Sequence, residues 1–285
     1  MAIPRVTTVN GLNAVEVQGA AAQGTIYLHG AHVASWRPAG APRDILWMSA
    51  KSHFASGKPI RGGVPICFPW FGAKKNEPAA PAHGFARLKE WTLDAVEEAP
   101  DGATTVTLSL AADPATRLLW PHEFALRMAV TFGSTLTMEL TVTNTGPVEW
   151  TAEEALHSYF SVGDARVVTI RGLEGGRFID KTDAMMEKTQ EGPIRITAET
   201  DRVYLDARGA VVVENAAGRT LRIAKDHSAD TVIWNPWIAK AKAMADFGDD
   251  EWPEMLCVET CNVAASALRL SAGQSHTMRA RVSLE

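Results

Sequence analysis

The chain has 285 residues, of which 46% are hydrophobic and 21% charged, and its formal net charge is -5. This composition is typical of a folded globular protein, and the length is compatible with a single all-β domain. Without a block of basic residues, we expect no nucleic-acid partner. No uncharged apolar run reaches membrane-spanning length, and the N-terminal stretch MAIPRVTTVNGLNAVEVQG lacks the apolar centre of a signal peptide. We therefore expect a cytoplasmic protein with no membrane partner.

The three cysteines, Cys67, Cys257 and Cys261, are expected to be reduced thiols. Their number is odd, they form no CxxC pair, and a chain of this length does not need disulfides to fold. Cys257 and Cys261 lie in the strand-like run MLCVETCNV, with no histidine or second cysteine pair at zinc spacing. The sequence therefore predicts no metal site.

Helical periodicity is scarce, and only two short helices are predicted, at 48–56 and 241–248. Valine, threonine and isoleucine are enriched in many short segments, as is typical of strands. The predicted strands, in chain order, are 104–111, 124–133, 134–144, 166–173, 209–215, 220–226 and two in 268–284 that flank Ala272-Gly273. The turn at Gly133-Ser134 joins two of them into a long hairpin. Many strands separated by turns predict a β-sandwich or barrel, and we expect one domain over residues 1–285.

The segment KPIRGGVPICFPWFG at 58–72, followed by HGFAR at 83–87, breaks this strand pattern. Its glycines and prolines exclude a regular helix. It also carries two arginines, Arg61 and Arg87. A single arginine in such a segment is typical of a buried loop whose guanidinium pairs with a core carboxylate. Two arginines beside glycines, which let the backbone approach closely, are different. For such a pair, an anion site and pairing with core carboxylates are about equally favoured.

Two other segments place a titratable side chain in an apolar setting. His157 of EEALHSYFSVGD follows an apolar pair and precedes an aromatic pair. It is typical either of a core histidine bonded to a backbone carbonyl or of a general acid that works near neutral pH. Glu259 lies in the run WPEMLCVETCNV, where strand alternation puts it on an inward face with Cys257 and Cys261. A carboxylate there indicates either a salt bridge to a buried arginine or a general base.

Four aromatic residues lie in turn-rich, proline-containing segments: Trp70, Phe71, Trp234 and Trp237. Aromatic side chains in loops are common platforms for the apolar faces of sugar rings. Alternatively, they anchor long loops to the sheets by hydrophobic packing.

Taken in order, these segments resemble the hexose-6-phosphate 1-epimerase branch of the aldose 1-epimerase, or galactose mutarotase-like, family. The resemblance covers nearly the whole chain. Its motifs are GAHVASWRP, ILWMSAKSHF, PIRGGVPICFPWFG, HGFAR, ALHSYF, TDRVY, VIWNPW and CVETCNV. It implies a large antiparallel β-sandwich with a few short helices and with neither metal nor organic cofactor. It also implies a small-molecule sugar phosphate as the partner, and we expect a monomer.

The resemblance implies catalytic roles for two residues. His157 of HSYF is expected to be the general acid and Glu259 of VET the general base. The base removes the proton of the anomeric hydroxyl while the acid protonates the ring oxygen, and the opened sugar closes again on the other face of its aldehyde. One ionised carboxylate and one protonated imidazole suffice for this reaction.

The remaining motif residues are expected to bind substrate. Arg61 of the RGG motif and Arg87 of HGFAR correspond to phosphate ligands, and Asp201 of TDRVY corresponds to a residue that binds sugar hydroxyls or steadies the site. His83 of HGFAR is a further expected contact. Some relatives carry a substrate-contacting glutamine immediately before HGFAR, where this chain has Ala82. That contact is therefore lost or replaced here.

Three other functions are compatible with parts of the sequence. The first is a mutarotase for unphosphorylated aldoses, in which the arginines are structural. The second is a non-catalytic carbohydrate-binding sandwich, which would have little use for both His157 and Glu259. The third is a glycosidase, which would need two carboxylates beside the scissile bond, with Glu154 and Asp201 as candidates.

Overall fold

The computed structural model describes residues 6–285, so the first residues of the segment expected not to be a signal peptide lie outside it. Strands dominate, and short helices lie between them. The strands are β1 (Val6–Val9), β2 (Leu12–Gln18), β3 (Ala22–Tyr27), β4 (His32–Pro38), β5 (Ile66–Cys67), β6 (Thr92–Glu98), β7 (Thr104–Ala111), β8 (Phe124–Phe132), β9 (Leu136–Asn144), β10 (Trp150–Ala152), β11 (Glu154–Leu156), β12 (Tyr159–Ser161), β13 (Thr169–Arg171), β14 (Arg177–Asp180), β15 (Met186–Thr189), β16 (Thr200–Tyr204), β17 (Val211–Ala216), β18 (Arg219–Asp226), β19 (Asp230–Asn235), β20 (Met255–Asn262), β21 (Leu268–Leu270) and β22 (Ser275–Leu284). The helices are α1 (Pro114–Leu119) and α2 (Trp237–Ala243), with 3-10 turns at Ala86–Leu88, Trp252–Glu254 and Ala264–Ser266.

Two eight-stranded sheets form the body of the fold. The first, called here the β9 sheet, has the strand order β13-β17-β18-β22-β9-β8-β7-β6. The second, called the β20 sheet, has the order β15-β14-β16-β19-β20-β11-β5, and β12 also pairs with β20. Strands β1 to β4 form a smaller sheet, and β10 pairs with β21. Neighbouring strands run antiparallel, for example β8 with β9 and β19 with β20.

One apolar core joins the two large sheets. It contains Leu140 and Met278 from the β9 sheet together with Ile233 and Val258 from the β20 sheet. Alternate residues of β9 are buried, so each strand of this kind contributes one apolar row to the core. Full burial of a leucine or valine side chain is worth about 1.5–3 kcal/mol. The predicted all-β antiparallel sandwich is confirmed.

Most of the predicted strands are present. The segment 104–111 is β7, and the hairpin predicted from 124 to 144 is formed by β8 and β9. The strand predicted at 166–173 is confirmed only over Thr169–Arg171. It is shorter because the Asp164 carboxylate accepts the Arg166 amide N–H at 2.9 Å, which holds the chain in a turn before the strand.

The later strand predictions also hold. The segments 209–215 and 220–226 correspond to β17 and β18, each displaced by one or two residues at an end. The two strands flanking Ala272-Gly273 are β21 and β22, and they pair with different neighbours rather than with each other.

The helix predictions are less accurate. The helix predicted at 48–56 is wrong, because this segment is tied to the RGG loop instead: the Ser49 amide N–H donates to the Arg61 carbonyl at 3.1 Å. The helix predicted at 241–248 is confirmed only over its first three residues, since α2 ends at Ala243. Within residues 6–285, no helix is long and apolar enough to cross a membrane.

Helix α1 was not predicted, although its first residues carry a helix-start signal. The Asp113 carboxylate accepts the Thr116 amide N–H at 2.6 Å, and the Thr116 hydroxyl accepts the Asp113 amide N–H at 2.8 Å. Pro114 occupies the first helical position, where its missing N–H costs nothing. The helix has only six residues, too few for hydrophobic periodicity to reveal it.

Strand β20 separates two sides of its sheet. Leu256 and Val258 face the main core, whereas Cys257 and Cys261 belong to a second apolar cluster on the opposite side. Glu259 projects toward that second side, where it lines an open cleft. The predicted common face of Cys257, Glu259 and Cys261 is therefore confirmed.

Candidate active site

A cleft opens on the side of the β20 sheet that faces away from the main core. Its open volume, including solvent at the mouth, is about 550 Å³, within the range of small-molecule sites. Five charged side chains and two histidines line it: Arg61, Lys181, Asp201, Lys240, Glu259, His83 and His157. Its apolar walls are Phe71, Val232, Trp234 and Met244. This mixture of aromatic and charged groups suits a polar ligand with apolar faces.

The cleft brings together the two residues expected to move protons. His157 lies between β11 and β12, and its amide N–H donates to the Pro65 carbonyl at 3.0 Å. Its ring stacks on Tyr159 with centroids 4.9 Å apart and planes 9° from parallel. The Nδ1 atom of His157 lies 3.4 Å from Oε1 of Glu259. Local packing therefore orients the imidazole toward the carboxyl group.

Both members of this pair have lone pairs without a partner. Within the described part of the chain, neither His157 Nδ1 nor Glu259 Oε2 makes a hydrogen bond. The two side chains are 9% and 1% exposed, so bulk water does not readily satisfy them. Buried polar atoms of this kind are uncommon, and a pair of them beside a cleft is typical of a functional site.

Burial also shifts the pKa of each group away from its charged form. It raises the pKa of Glu259 well above the ordinary value; Asp201 adds to the increase, while Lys181 and Arg87 oppose it. Burial likewise lowers the pKa of His157, and the positive charges of Arg87 and Arg61 lower it further. Both shifts favour a neutral carboxyl group and a neutral imidazole over the charged pair.

This proton arrangement differs from the one expected from the sequence. The expected pair was an ionised Glu259 and a protonated His157, whereas low-dielectric surroundings favour the neutral pair. The two arrangements contain the same number of protons. They differ only by transfer across the 3.4 Å contact.

His83 lies beside the pair, as expected. Its ring meets the His157 ring edge to face with centroids 5.5 Å apart. Its Nδ1 accepts the amide N–H of Gly72 at 3.3 Å, so a neutral ring carries its proton on the other nitrogen. The next residue, Gly84, has φ of +75°, and a Cβ there would lie 1.9 Å from the Phe68 carbonyl oxygen. Only glycine fits, which explains the HG pair of the motif.

Arg61 lines the cleft, but its guanidinium already has protein partners. Its Nε and Nη2 donate to the Asp246 carboxylate at 3.2 and 3.1 Å. Its Nη1 donates to the Tyr159 hydroxyl at 2.8 Å. This resembles the alternative in which the arginine pairs with a carboxylate, although Asp246 is half-buried and not part of the core. Arg61 therefore presents a largely neutralised charge to the cleft.

Arg87 is in a different situation. Its Nη2 donates to the Ala82 carbonyl at 2.9 Å, and its buried Nε has no partner in the described residues. Among residues 6–285 no carboxylate lies within salt-bridge distance of it. Burial, together with nearby Arg61, lowers the pKa of Arg87. Arg87 is not among the residues lining the cleft, but its positive charge lowers the pKa values of both His157 and Glu259.

Asp201 lines the same cleft as His157 and Glu259. It lies on β16, paired with Trp234 of β19. Its carboxylate is 3.3 Å from Lys181 Nζ and 3.9 Å from Lys240 Nζ. Burial raises its pKa despite these two lysines. The carboxylate is thus held in place and faces the space that a sugar would occupy.

Two of the four aromatic candidates line the cleft, namely Phe71 and Trp234. The other two pack elsewhere. Trp70 is buried in the main core and its Nε1 donates to the Pro81 carbonyl at 2.9 Å. Trp237 packs on Trp252 with ring centroids 4.1 Å apart. Packing on the sheets is thus confirmed for Trp70 and Trp237, and a role as sugar platforms stays a prediction for Phe71 and Trp234.

Comparison with known proteins shows the family of this chain. The sequence profile of the family described as aldose 1-epimerase matches residues 14–283. A Salmonella typhimurium protein with the provisional name glucose-6-phosphate 1-epimerase is 38% identical over 259 residues, which cover 90% of this chain and 85% of that protein. An Escherichia coli K12 protein with the same provisional name is 40% identical over 235 residues, covering 82% and 77%. A Salmonella typhimurium crystal structure, provisionally described as a mutarotase, has a TM-score of 0.92 at 34% identity and covers 99% of this chain and 93% of that one.

The chain belongs to the aldose 1-epimerase family. The family expected from the ordered motifs is therefore confirmed. Like other aldose 1-epimerases, the chain is an isomerase that acts on the anomeric carbon of a sugar. The interpretation as a non-catalytic carbohydrate-binding sandwich is thus wrong.

In this aldose 1-epimerase the two carboxylates considered for a glycosidase do not share a site. Asp201 lines the cleft, but Glu154 does not. Glu154 is fully buried, accepts a hydrogen bond from Asn262 Nδ2 at 2.8 Å and lies 3.2 Å from His276 Nε2. Its contacts are thus with side chains next to β20, and its Oε2 makes no hydrogen bond within the described residues.

Sequence reasoning missed two cations of the epimerase cleft, Lys181 and Lys240. Lys240 follows the VIWNPW motif in α2, so its nearness to that motif could have indicated it. Lys181 follows β14 in a polar stretch with no distinguishing pattern. Its Nζ lies 4.7 Å from the ring of Phe71, a contact that only the folded chain creates.

Proposed function

We propose that this aldose 1-epimerase interconverts the α and β anomers of glucose 6-phosphate or a closely similar hexose 6-phosphate. The observation that carries this proposal is the close contact of His157 and Glu259, with unsatisfied atoms beside a cationic cleft. The provisional names of its relatives support the same substrate class.

The proposed mechanism uses the single proton of the pair. When sugar hydroxyls enter the cleft they hydrogen-bond to Glu259, which favours its ionised form and transfer of the proton to His157. The Glu259 carboxylate then removes the proton of the anomeric hydroxyl. The bond between C1 and the ring oxygen breaks, and its electron pair accepts the proton from His157. Rotation about C1–C2 and the reverse proton transfers close the ring on the other face.

The proposed phosphate ligand is Arg87, with Arg61 as a second, weaker contributor. Arg87 is half-buried, and its buried Nε has no partner and no carboxylate nearby, which is costly; an anion would relieve that cost. The charge of Arg61 is already neutralised by Asp246. Arg61 is therefore proposed to shape the phosphate site more than to supply positive charge to it. His83 and Asp201 are proposed to contact the sugar hydroxyls. Anchoring the phosphate would keep the opened sugar in place while C1 rotates.

The catalytic assignment is tested by replacing Glu259 with glutamine. Acid–base catalysis typically contributes about 10²–10⁴-fold, so Glu259→Gln should slow enzyme-accelerated anomer exchange by that factor. Exchange NMR of the two anomeric protons measures the rate directly. The matched control is Glu154→Gln, the same change at a buried carboxyl of the same sheet outside the cleft, which should keep its activity. Equal losses in the two variants would reject the assignment.

The phosphate assignment is tested by comparing glucose 6-phosphate with glucose. A hydrogen bond to a charged group contributes about 1.5–3 kcal/mol, so Arg87→Ala should lower kcat/KM for glucose 6-phosphate by about 10–150-fold. Arg87→Lys, which keeps the charge, should lose less. Activity on glucose should change little in either variant. Parallel losses on both sugars would show that Arg87 is structural.

The second candidate is isomerisation of unphosphorylated aldoses. The Arg61–Asp246 ion pair favours it, because this pair leaves Arg61 little charge for a phosphate. In that case the unaltered enzyme would have equal kcat/KM values for glucose and glucose 6-phosphate. Preference for the phosphorylated sugar would exclude it.

A further inference from the structure

Three potential metal ligands meet next to the cleft: His157 and Glu259 line it, and the buried Cys257 lies beside them. An Nδ1 or Nε2 atom of His157, the Sγ of Cys257 and a carboxylate oxygen of Glu259 all lie within 4.8 Å of one another. Ligands bound to one zinc ion at about 2.0–2.3 Å stand roughly 3–4 Å apart, so small side-chain movements complete the set. All three residues are buried.

The backbone explains why these three groups converge. Cys257 and Glu259 are two residues apart on β20 and project from the same face. Strand β12 pairs with β20 so that Tyr159 lies opposite Cys257, and His157 precedes Tyr159 by two residues. The site is therefore made by strand pairing, and the sequence spacing that predicted no metal site could not reveal it.

A second observation indicates a ligand at this place. The Nδ1 of His157 and the Oε2 of Glu259 have no hydrogen-bond partner within residues 6–285, and both residues are more than nine-tenths buried. Each is a lone-pair donor near the thiol of Cys257. A cation bound among them would satisfy both atoms. Cys257 is a free cysteine, so its sulfur is available as a ligand.

We propose that His157, Cys257 and Glu259 form a site for a thiophilic divalent cation, with Zn²⁺ as its typical occupant, and that the bound cation inhibits isomerisation. One imidazole, one thiolate and one carboxylate match the ligand preferences of Zn²⁺ and Co²⁺, and they disfavour Mg²⁺ and Ca²⁺. The thiol and the carboxyl lose their protons on binding, so two negative ligands offset the charge of the cation.

Inhibition follows from the proposed function, on which this part of the inference rests. A cation on His157 Nδ1 and Glu259 occupies the lone pairs that must exchange protons with the sugar. Cation and sugar should then exclude each other from the cleft. Metal binding itself does not depend on the catalytic role of the pair.

The binding test uses Co²⁺ added to protein freed of metal with a chelator. We expect a thiolate-to-cobalt charge-transfer band in the near ultraviolet for the unaltered chain. The band should disappear in Cys257→Ser. It should persist in Cys261→Ser, a buried cysteine on the same face of β20 that is not part of the cluster. A band that survives in Cys257→Ser, or no band in the unaltered chain, would overturn the proposal.

Competition with a chromogenic chelator gives the affinity for Zn²⁺. Cys257→Ser should bind Zn²⁺ at least tenfold more weakly, and so should Glu259→Gln, which keeps the thiol. Agreement of these two variants guards against a folding defect in one of them. Unchanged affinity in Glu259→Gln would also overturn the three-ligand site.

The activity test separates the two proposals. Zn²⁺ should inhibit anomer exchange by the unaltered enzyme, and excess sugar phosphate should relieve the inhibition. At the same Zn²⁺ concentration, Cys257→Ser should keep a larger fraction of its own metal-free rate. If cobalt binding fails while Glu259→Gln is inactive, only the metal site is wrong. If the cobalt band forms but Zn²⁺ neither inhibits nor competes with sugar, the inhibitory role is wrong and the catalytic assignment fails with it.

Discussion

The two large sheets bury their residues in different ways. In β9, buried residues alternate with half-buried ones, so one face of this strand packs on the core and the other is partly accessible. In β20 all eight residues are buried, because both faces of the sheet are covered there. Strands of the β9 sheet such as β9 therefore show a regular alternation of buried and half-buried residues. The β20 sheet has to accommodate polar groups in its interior.

Most of those interior polar groups have partners. The Asn235 side-chain amide donates to the carbonyls of Trp252 and Met255 at 2.8 and 2.9 Å. The Asn262 amide donates to Glu154. At His157 and Glu259 atoms remain unsatisfied beside the cleft, whereas the unsatisfied Oε2 of Glu154 lies outside its lining. Burial of a polar group therefore does not by itself indicate a site. Buried polar atoms that lack a hydrogen-bond partner and lie beside a cleft do indicate one.

The largest effect expected from this comparison is on stability in the β9 sheet. Leu140→Ala removes a fully buried side chain from the core and should lower the free energy of unfolding by about 2–5 kcal/mol. Denaturant unfolding measures this loss. The folded fraction should isomerise sugar at the normal rate. Thr137→Ala, on the half-buried face of the same strand, should cost much less. Similar losses at both positions would contradict the division of faces.

In the β20 sheet we expect a substitution to raise the free energy of unfolding instead of lowering it. Glu259 binds its proton more tightly in the folded chain than in the unfolded chain, so above its ordinary pKa of 4.5 folded stability falls as pH rises. Glu259→Gln removes this cost and should raise stability by about 0.5–2 kcal/mol at neutral pH while abolishing activity. Thermal unfolding at pH 5 and pH 7.5, with chelator present, should show a larger gain at the higher pH. A loss of stability would contradict the prediction.

The smallest expected effect on stability concerns Lys225, a partly buried cation of the β9 sheet. Burial lowers the pKa of Lys225 from 10.5 to about 8, although its Nζ donates to the Thr231 hydroxyl at 2.7 Å. Between pH 8 and pH 10.5 the Lys225 side chain is therefore protonated in the unfolded chain and largely deprotonated in the folded chain. Stability from this group therefore rises with pH over that window.

Lys225→Met should abolish this rise. The difference in melting temperature between the unaltered chain and Lys225→Met should move in favour of the unaltered chain from pH 7 to pH 10. The matched control is Lys242→Met, at an exposed lysine of α2. Its difference should stay constant. A constant difference for Lys225→Met would show that the ammonium group remains solvated.

Much of the fold could be predicted from local pattern. Strands β7, β8 and β9 alternate apolar and polar residues over eight or nine positions, and such a row fits only a half-covered sheet. The segment 48–56 misled because its apparent helical pattern yields to the contact of Ser49 with Arg61. Helix α1 escaped notice because it is too short to show periodicity.

For the site, the sequence by itself determined the residue types, their order along the chain and the shared face of Cys257, Glu259 and Cys261. Strand alternation and ordered motifs are local properties, so they survive without a structure. Only the tertiary structure decided that Arg61 is neutralised by Asp246, that Arg87 is not, and that Lys181 and Lys240 line the cleft. It also showed that burial favours the neutral form of Glu259, and it brought Cys257 beside the pair. The physical reason is that charge, solvation and coordination depend on distances between residues far apart in sequence, and only the folded chain sets those distances.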